Sequence, residues 1–186
     1  MNNGPLSFLL AAVLLLTLAA QPATAAAKPG KNFILTAADF TDQGPIPVAL
    51  ARPLAGGRNL SPALRWENAP AGTKSFALIC VDLHPVARRW VHWLVINIPA
   101  AITSLPRNAS GRAMPAGCRE LRNSFGDYGW GGPQPPPGTG SHRYVFSLYA
   151  LNTEKINADI ASESQLLAAI EGKVLGVARL TGFFGR

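Results

Sequence analysis

The sequence predicts a mainly β fold, a sandwich or sheet with one short peripheral helix near the C-terminal end. Two apolar runs, Ser75–Val81 and Trp90–Ile98, have strand length and are bounded by turn residues. Short apolar stretches elsewhere are punctuated by 18 glycines and 16 prolines in 186 residues. Only residues Glu163–Glu171 show a convincing helical period.

In chain order, Leu6–Ala20 is an apolar run too short and wrongly flanked for a stable membrane span. The Ala23-Thr24-Ala25 pattern behind it suits cleavage after Ala25. Residues 1–25 are therefore read as a signal peptide and 26–186 as one domain exported to the periplasm or beyond. The leader has no Lys or Arg, which leaves an uncleaved anchor as the competing reading, and no Cys for a lipid anchor stands at the cleavage region. Phe33-Ile34-Leu35 starts a short strand. Gly44–Val48, with Pro45 and Pro47, is an irregular turn or edge strand. Leu64-Arg65-Trp66 is a brief strand, and the unbroken apolarity of Ser75–Val81 fits a strand covered on both faces.

Strict alternation along Trp90–Ile98 places His92 with Trp90, Leu94, Ile96 and Ile98. Residues Pro99–Arg122 form a long excursion with little periodicity. The stretch Asn123–Gly140, rich in Gly and Pro, feeds a strand opened by His142, whose face carries Tyr144, Phe146 and Leu148. Such a stiff loop serves either as a pocket rim or as a long connection. Ser162 caps the helix with Gln165 three residues on, Leu166, Leu167 and Ile170 form its apolar face, and Gly172 ends it. Val174–Phe184 supplies a last strand.

Charged residues make up 15% and hydrophobic residues 48% of the chain, which suits a globular protein. The net charge of +7 favours anionic partners. Its Lys and Arg are scattered, with Arg88-Arg89 the only adjacent pair, and no aromatic–basic pattern points to nucleic acid. In an oxidising compartment Cys80 and Cys118 either form a disulfide or remain thiols, Cys80 being equally comfortable buried in its apolar run.

Five blocks of the chain resemble the phosphatidylethanolamine-binding protein family, and within it the bacterial Raf-kinase-inhibitor-like branch. They are Asn59-Leu60-Ser61-Pro62-x-Leu64-x-Trp66, then Gly72–Leu78 followed by Asp82, then Trp90-Val91-His92-Trp93 with Asn97-Ile98-Pro99. Asn123-x-Phe125-Gly126 through Gly131-Gly132-Pro133 and Pro135-Pro136-x-Gly138 come next, and His142-Arg143-Tyr144 through Leu151 completes the set. The helix with Glu171-Gly172 and Leu180-Thr181-Gly182 also resembles the bacterial members' C-terminal end, and the whole match spans roughly Phe33 to Gly182. The resemblance implies a sandwich-like fold with a small anion-accepting pocket lined by Asp82, His92, His142 and Tyr144 and covered by Pro135 and Pro136. The chain departs from the family after the Ser75–Val81 strand. Where members usually carry Asp-Pro-Asp-Ala-Pro, it has Asp82-Leu83-His84-Pro85-Val86, which exchanges a carboxylate for an imidazole and redirects the loop.

Several chemistries fit these residues. Two imidazoles, a phenol and backbone N–H groups can donate to a phosphate or carboxylate, with Asp82 orienting a His, holding the loop or meeting an amine on the ligand. His92 and His142 can also be satisfied core histidines. His92, His142 and Asp82 match a two-His, one-carboxylate metal set. An Asp–His pair can act as a general base, although no Gly-x-Ser-x-Gly turn is present. A role as modulator of a partner protease or kinase belongs to another class. The expectation is a non-enzymatic protein without cofactor or metal that binds a small anionic, phosphate-bearing ligand. Nucleic-acid binding and stable membrane insertion are not expected; a protein partner and homodimer formation stay open.

Overall fold

The computed structural model describes Met1 and residues 32–186. The leader expected over residues 1–25 therefore lies, but for Met1, outside the described residues. Among the described residues the chain forms β1 (Ile34–Ala37), β2 (Gly44–Pro45), β3 (Leu64–Glu67), β4 (Ser75–Asp82), β5 (Trp90–Pro99), β6 (Ser104–Leu105), β7 (Arg119–Glu120), β8 (Ser141–Leu151), α1 (Glu163–Ile170) and β9 (Val174–Gly185). The strands make a three-stranded sheet ordered β1-β3-β6 and a six-stranded sheet ordered β2-β9-β8-β4-β5-β7. All pairings are antiparallel except the short parallel contact of β2 with β9.

The unbroken apolarity of Ser75–Val81 has the expected consequence, since all eight residues of β4 are buried and the strand lies between β8 and β5. One face of the large sheet, carrying Phe76, Leu78, Cys80, Phe146 and Leu148, packs with Leu35, Leu64, Trp66 and Leu105 of the small sheet. The opposite face, with Ala77, Ile79 and Val81, is covered by Leu166 and Ile170 of α1 and by Ile156 and Ile160 ahead of it. Leu167 departs from the expected buried face at 36% exposure. Consecutive helical residues point about 100° apart, and the side turned to the sheet is centred on Leu166 and Ile170. Ser162 Oγ accepts from Gln165 N at 3.2 Å, while the Gln165 side chain returns to Ala161 N at 2.7 Å.

Strict alternation fails in β5. Cys80 pairs with Trp93 but Val81 pairs with Val91, leaving His92 as the extra residue of a bulge. A second irregularity falls at Ile96 and Asn97, where Asn97 takes a φ of 60°. Val91, Leu94 and Ile96 consequently pack on the helix side, whereas Trp93, Val95 and Ile98 join the core between the sheets. The expected grouping of His92 with Leu94 and Ile96 is thus overturned. The bulge sends its ring to the inner face, against Tyr144 and Trp130.

Cys80 and Cys118 are both free thiols, so the disulfide reading does not hold. The long excursion after β5 is tied down by β6 and β7 and by Glu120, which accepts from Trp93 Nε1 at 2.8 Å and from Gly111 N at 2.7 Å.

Candidate functional site

Ladder geometry at one end of the large sheet builds the site. Asp82 ends β4 directly opposite Tyr144 of β8, and His142 stands two residues earlier on the same face. Trp90 and the bulged His92 come from the start of β5, which pairs with the end of β4. The loop 133–140 crosses this end, held by Arg52 N donating to Pro133 O at 3.1 Å and Arg186 Nε donating to Pro135 O at 2.6 Å. Gly132 lets that loop pass close to the chain, since a Cβ there would stand 2.0 Å from Leu50 O.

These elements enclose a cavity of about 400 Å³. Asp82, His92, Pro135, Pro136, His142 and Tyr144 all line it. Sequence reasoning did not single out the remaining lining residues, Val86, Ala87, Trp90, Phe125 and Gln134. Their signal was present in part: Trp90 shares the strand parity of His92, and Phe125 lies in the Gly-rich stretch.

Asp82 uses both oxygens inside the protein. Oδ2 is 2.6 Å from His142 Nδ1, and Oδ1 accepts from His84 N at 2.8 Å. His142 Nε2 is 2.8 Å from Thr139 Oγ1, whose own hydrogen is donated to Pro136 O at 2.7 Å. A carboxylate only accepts, so Nδ1 donates to Asp82, while Nε2 is engaged by the Thr139 hydroxyl. Both nitrogens of His142 are thereby spent, one on the carboxylate and one on the loop.

His84, which stands where the resemblance implies a carboxylate, stacks on His142 with ring centroids 3.9 Å apart and planes 14° from parallel. Its Nδ1 accepts from Val86 N at 3.3 Å, starting the turn Pro85–Ala87 that supplies the cavity wall. This is the physical content of the altered loop.

His92 Nδ1 lies 2.5 Å from Gly131 O and must donate to it. Burial pushes this imidazole down to about 4, against the opposing pull of the Gly131 bond and the Asp82 charge. Neutral His92 therefore carries its hydrogen on Nδ1 and a lone pair on Nε2. Among the described residues Nε2 has no hydrogen-bond partner, and it is not one of the fully enclosed unpaired atoms. The lone pair accordingly opens on the cavity that His92 lines.

The Tyr144 hydroxyl is buried with no partner, a state that costs about 1–3 kcal/mol. Burial first, then the Asp82 charge and the approach of its carboxylate to the hydroxyl, raise its pKa, so it remains a phenol and a donor. No Lys or Arg is among the lining residues. The nearby Arg52 guanidinium lies over the Phe125 ring at 4.2 Å and pairs with Asp127 at 2.8 Å.

The arrangement changes one expectation and removes one alternative. The imidazole N–H groups do not face a ligand, because His92 and His142 spend theirs on Gly131 and Asp82, and Thr139 engages the other nitrogen of His142. The two-His, one-carboxylate metal set does not form: Asp82 and His142 are mutually engaged, and no group of three or more His, Cys, Asp or Glu among the described residues could hold a metal. Thr139, His142 and Asp82 do fall in a line resembling a nucleophile–base–acid relay. Thr139 is not among the lining residues, however, and its hydrogen is committed to Pro136.

Residues 36–185 match the sequence profile described as phosphatidylethanolamine-binding protein. The chain is 42% identical over 149 residues to the UPF0098 protein of Methanothermobacter thermautotrophicus, covering 79% of this chain and 95% of that protein. It is 45% identical over 115 residues to YbcL of Escherichia coli, covering 60% of this chain and 63% of YbcL. The crystal structure of YbcL, described as a new member of the mammalian PEBP family, superposes with a TM-score of 0.77 at 34% identity, covering 83% of this chain and 98% of that one.

Proposed function

Because the chain belongs to the phosphatidylethanolamine-binding protein family, we propose that it is an exported binding protein whose cavity takes a small, anionic, phosphate-bearing group. One observation carries this reading. Six residues from three strands and a loop converge on a single cavity, where the Tyr144 hydroxyl and His92 Nε2 have no partner among the described residues. Buried polar groups are almost always paired, so an unpaired His92 Nε2 opening on the cavity, with the unpaired Tyr144 hydroxyl enclosed beside it, fits a site finished by a ligand's polar atoms. Trp90, Phe125, Pro135 and Pro136 offer an apolar wall for whatever the phosphate is attached to.

Export rests on the apolar run Leu6–Ala20 and the small residues behind it. No helix among the described residues is long and apolar enough to cross a membrane. N-terminal sequencing of protein recovered outside the cytoplasm is expected to begin within two residues of Ala26. Modulation of a partner protease or kinase draws on no specific feature of this site, whereas small-ligand binding uses every residue described above.

Phenyl phosphate is a suitable probe. Titration calorimetry at pH 6 is expected to show binding that weakens roughly ten- to a hundredfold in Tyr144→Phe and in His92→Ala, the range for one hydrogen bond to a charged group. Equal affinity in wild type and both variants would remove the cavity from consideration.

A further inference from the structure

Hydrogens can be counted around this cavity, and the count restricts what it can hold. His142 has none to offer, because both nitrogens are engaged within the protein. His92 has spent its one N–H on Gly131 and presents a lone pair. Asp82 presents carboxylate oxygens that already accept from His84 and His142. Donor hydrogens remain on the Tyr144 hydroxyl and on the lining side chains Trp90 and Gln134, so His92 Nε2 stands out as an acceptor that brings no hydrogen.

We infer that the cavity selects acids bringing a hydrogen of their own, phosphate monoesters over phosphodiesters, with the ligand's P–OH hydrogen bonding to His92 Nε2. This rests on the phosphate-binding reading above. A monoester monoanion, RO–PO₃H⁻, donates its one hydrogen to His92 and accepts from Tyr144. Moving that proton onto Nε2 gives an imidazolium facing a dianion, with the same atoms and total charge. Either way the complex contains one proton that a diester does not carry. A diester oxygen placed on His92 Nε2 instead needs a protein that has taken a proton from solution there, which burial opposes. The family's namesake lipid has a diester head group, so the inference sets this chain's preference apart from it.

The groups facing His92 are Asp82 from β4, Tyr144 and His142 from β8, and Arg52 from the segment ahead of the Pro53–Ala55 turn. Phe125 and Trp130 complete its surroundings without charge. A phosphate monoester loses its second proton near pH 6. Below that pH the ligand arrives protonated and affinity is nearly flat. Above it one proton must be taken up on binding, and affinity falls about tenfold per pH unit.

Phenyl phosphate and its diester, methyl phenyl phosphate, are to be titrated calorimetrically between pH 5.0 and 7.5, in buffers differing in ionisation enthalpy. Phenyl phosphate is expected to weaken roughly thirtyfold across that range, with uptake of about one proton at pH 7.5. Methyl phenyl phosphate is expected to bind at least about tenfold more weakly at pH 5.0. The phenyl phosphate slope is expected to persist in His84→Gln and to vanish in His92→Asn, which keeps a donor for Gly131 and removes Nε2. Phenyl phosphate binding without pH dependence, diester binding within about threefold of monoester, or a slope abolished by His84→Gln overturns the inference and leaves the phosphate site standing. If neither compound binds at any pH, both the site and the inference fall.

Discussion

At the residue scale, His92 links ligand chemistry to stability. Its side chain is pushed down to about 4 by burial, from 6.5 when free. Between those values the unfolded chain binds a proton that the folded chain refuses, so stability falls as pH drops from about 6.5 to 4 and levels off below. At 1.36 kcal/mol per pH unit the loss is about 3 kcal/mol. Urea unfolding at pH 7 and pH 4 is expected to show that loss in the wild type and a correspondingly smaller one in His92→Asn. Parallel pH profiles in the two proteins would contradict it. His142 plays a different part. It is 1% exposed and partners a carboxylate that is 3% exposed, so His142→Ala strands the Asp82 charge in the interior. Breaking a buried pair from one side costs about 3–5 kcal/mol, and a loss below about 1 kcal/mol in urea unfolding would show the pair to be unimportant. His142→Ala is thus a stability variant first, which is why Tyr144→Phe and His92→Ala are the cleaner probes of binding.

At the scale of elements, the bulge in β5 and the loop over the cavity do most of the positioning. Without the extra residue, strict alternation would leave His92 and Trp93 on opposite faces. With it, both rings reach the inner side, where Trp93 meets Trp130 and His92 meets Tyr144. Gly132 is the matching constraint on the loop. Alanine there drives a Cβ into the Leu50 carbonyl and the Ala51 backbone, neither of which is a side chain that can swing away. Gly132→Ala is expected to cost about 1–3 kcal/mol and to weaken phenyl phosphate binding by shifting the loop. Unchanged stability together with unchanged affinity would show that the close approach is not required. The helix makes a sharper comparison. Leu166 is 0% exposed and Leu167 is 36% exposed. Leu166→Ala is expected to cost about 2–5 kcal/mol and Leu167→Gln under about 1 kcal/mol by urea unfolding.

At the scale of the whole molecule, the large sheet separates an inner core shared with the small sheet from an outer core under α1. The two thiols report on this arrangement from different depths. Cys80 is 0% exposed in the inner core, while Cys118 is only partly buried at its margin. Burial raises the Cys118 thiol to about 11 and carries Cys80 well above its ordinary value. Thiolates are the reactive species. Labelling with an aromatic disulfide is therefore expected to modify Cys118 slowly in the folded protein and Cys80 only at the rate of global unfolding. Equal rates for the two would mean that the inner core opens locally. The +7 net charge is a property of this scale as well. None of it comes from Lys or Arg lining the cavity, so it draws anions toward the surface while hydrogen bonding decides which are held.

Sequence alone determined the β-rich class, the strands around Ser75–Val81 and Trp90–Ile98, and the helix cap at Ser162, because local periodicity and capping chemistry record these features directly. The resemblance of Asp82, His92, Pro135, Pro136, His142 and Tyr144 to the family's pocket residues named the cavity's polar floor. Only tertiary structure decided that His92 keeps one free nitrogen and His142 none. That depends on Gly131 reaching His92 and on Asp82 and Thr139 reaching His142. The Gly131, Asp82 and Thr139 contacts span 39, 60 and 3 residues of chain, and the distant ones leave no periodic trace. The face taken by His92 was hidden for a related reason. A bulge is set by the pairing of two strands, while alternation read from one strand assumes an unbroken ladder.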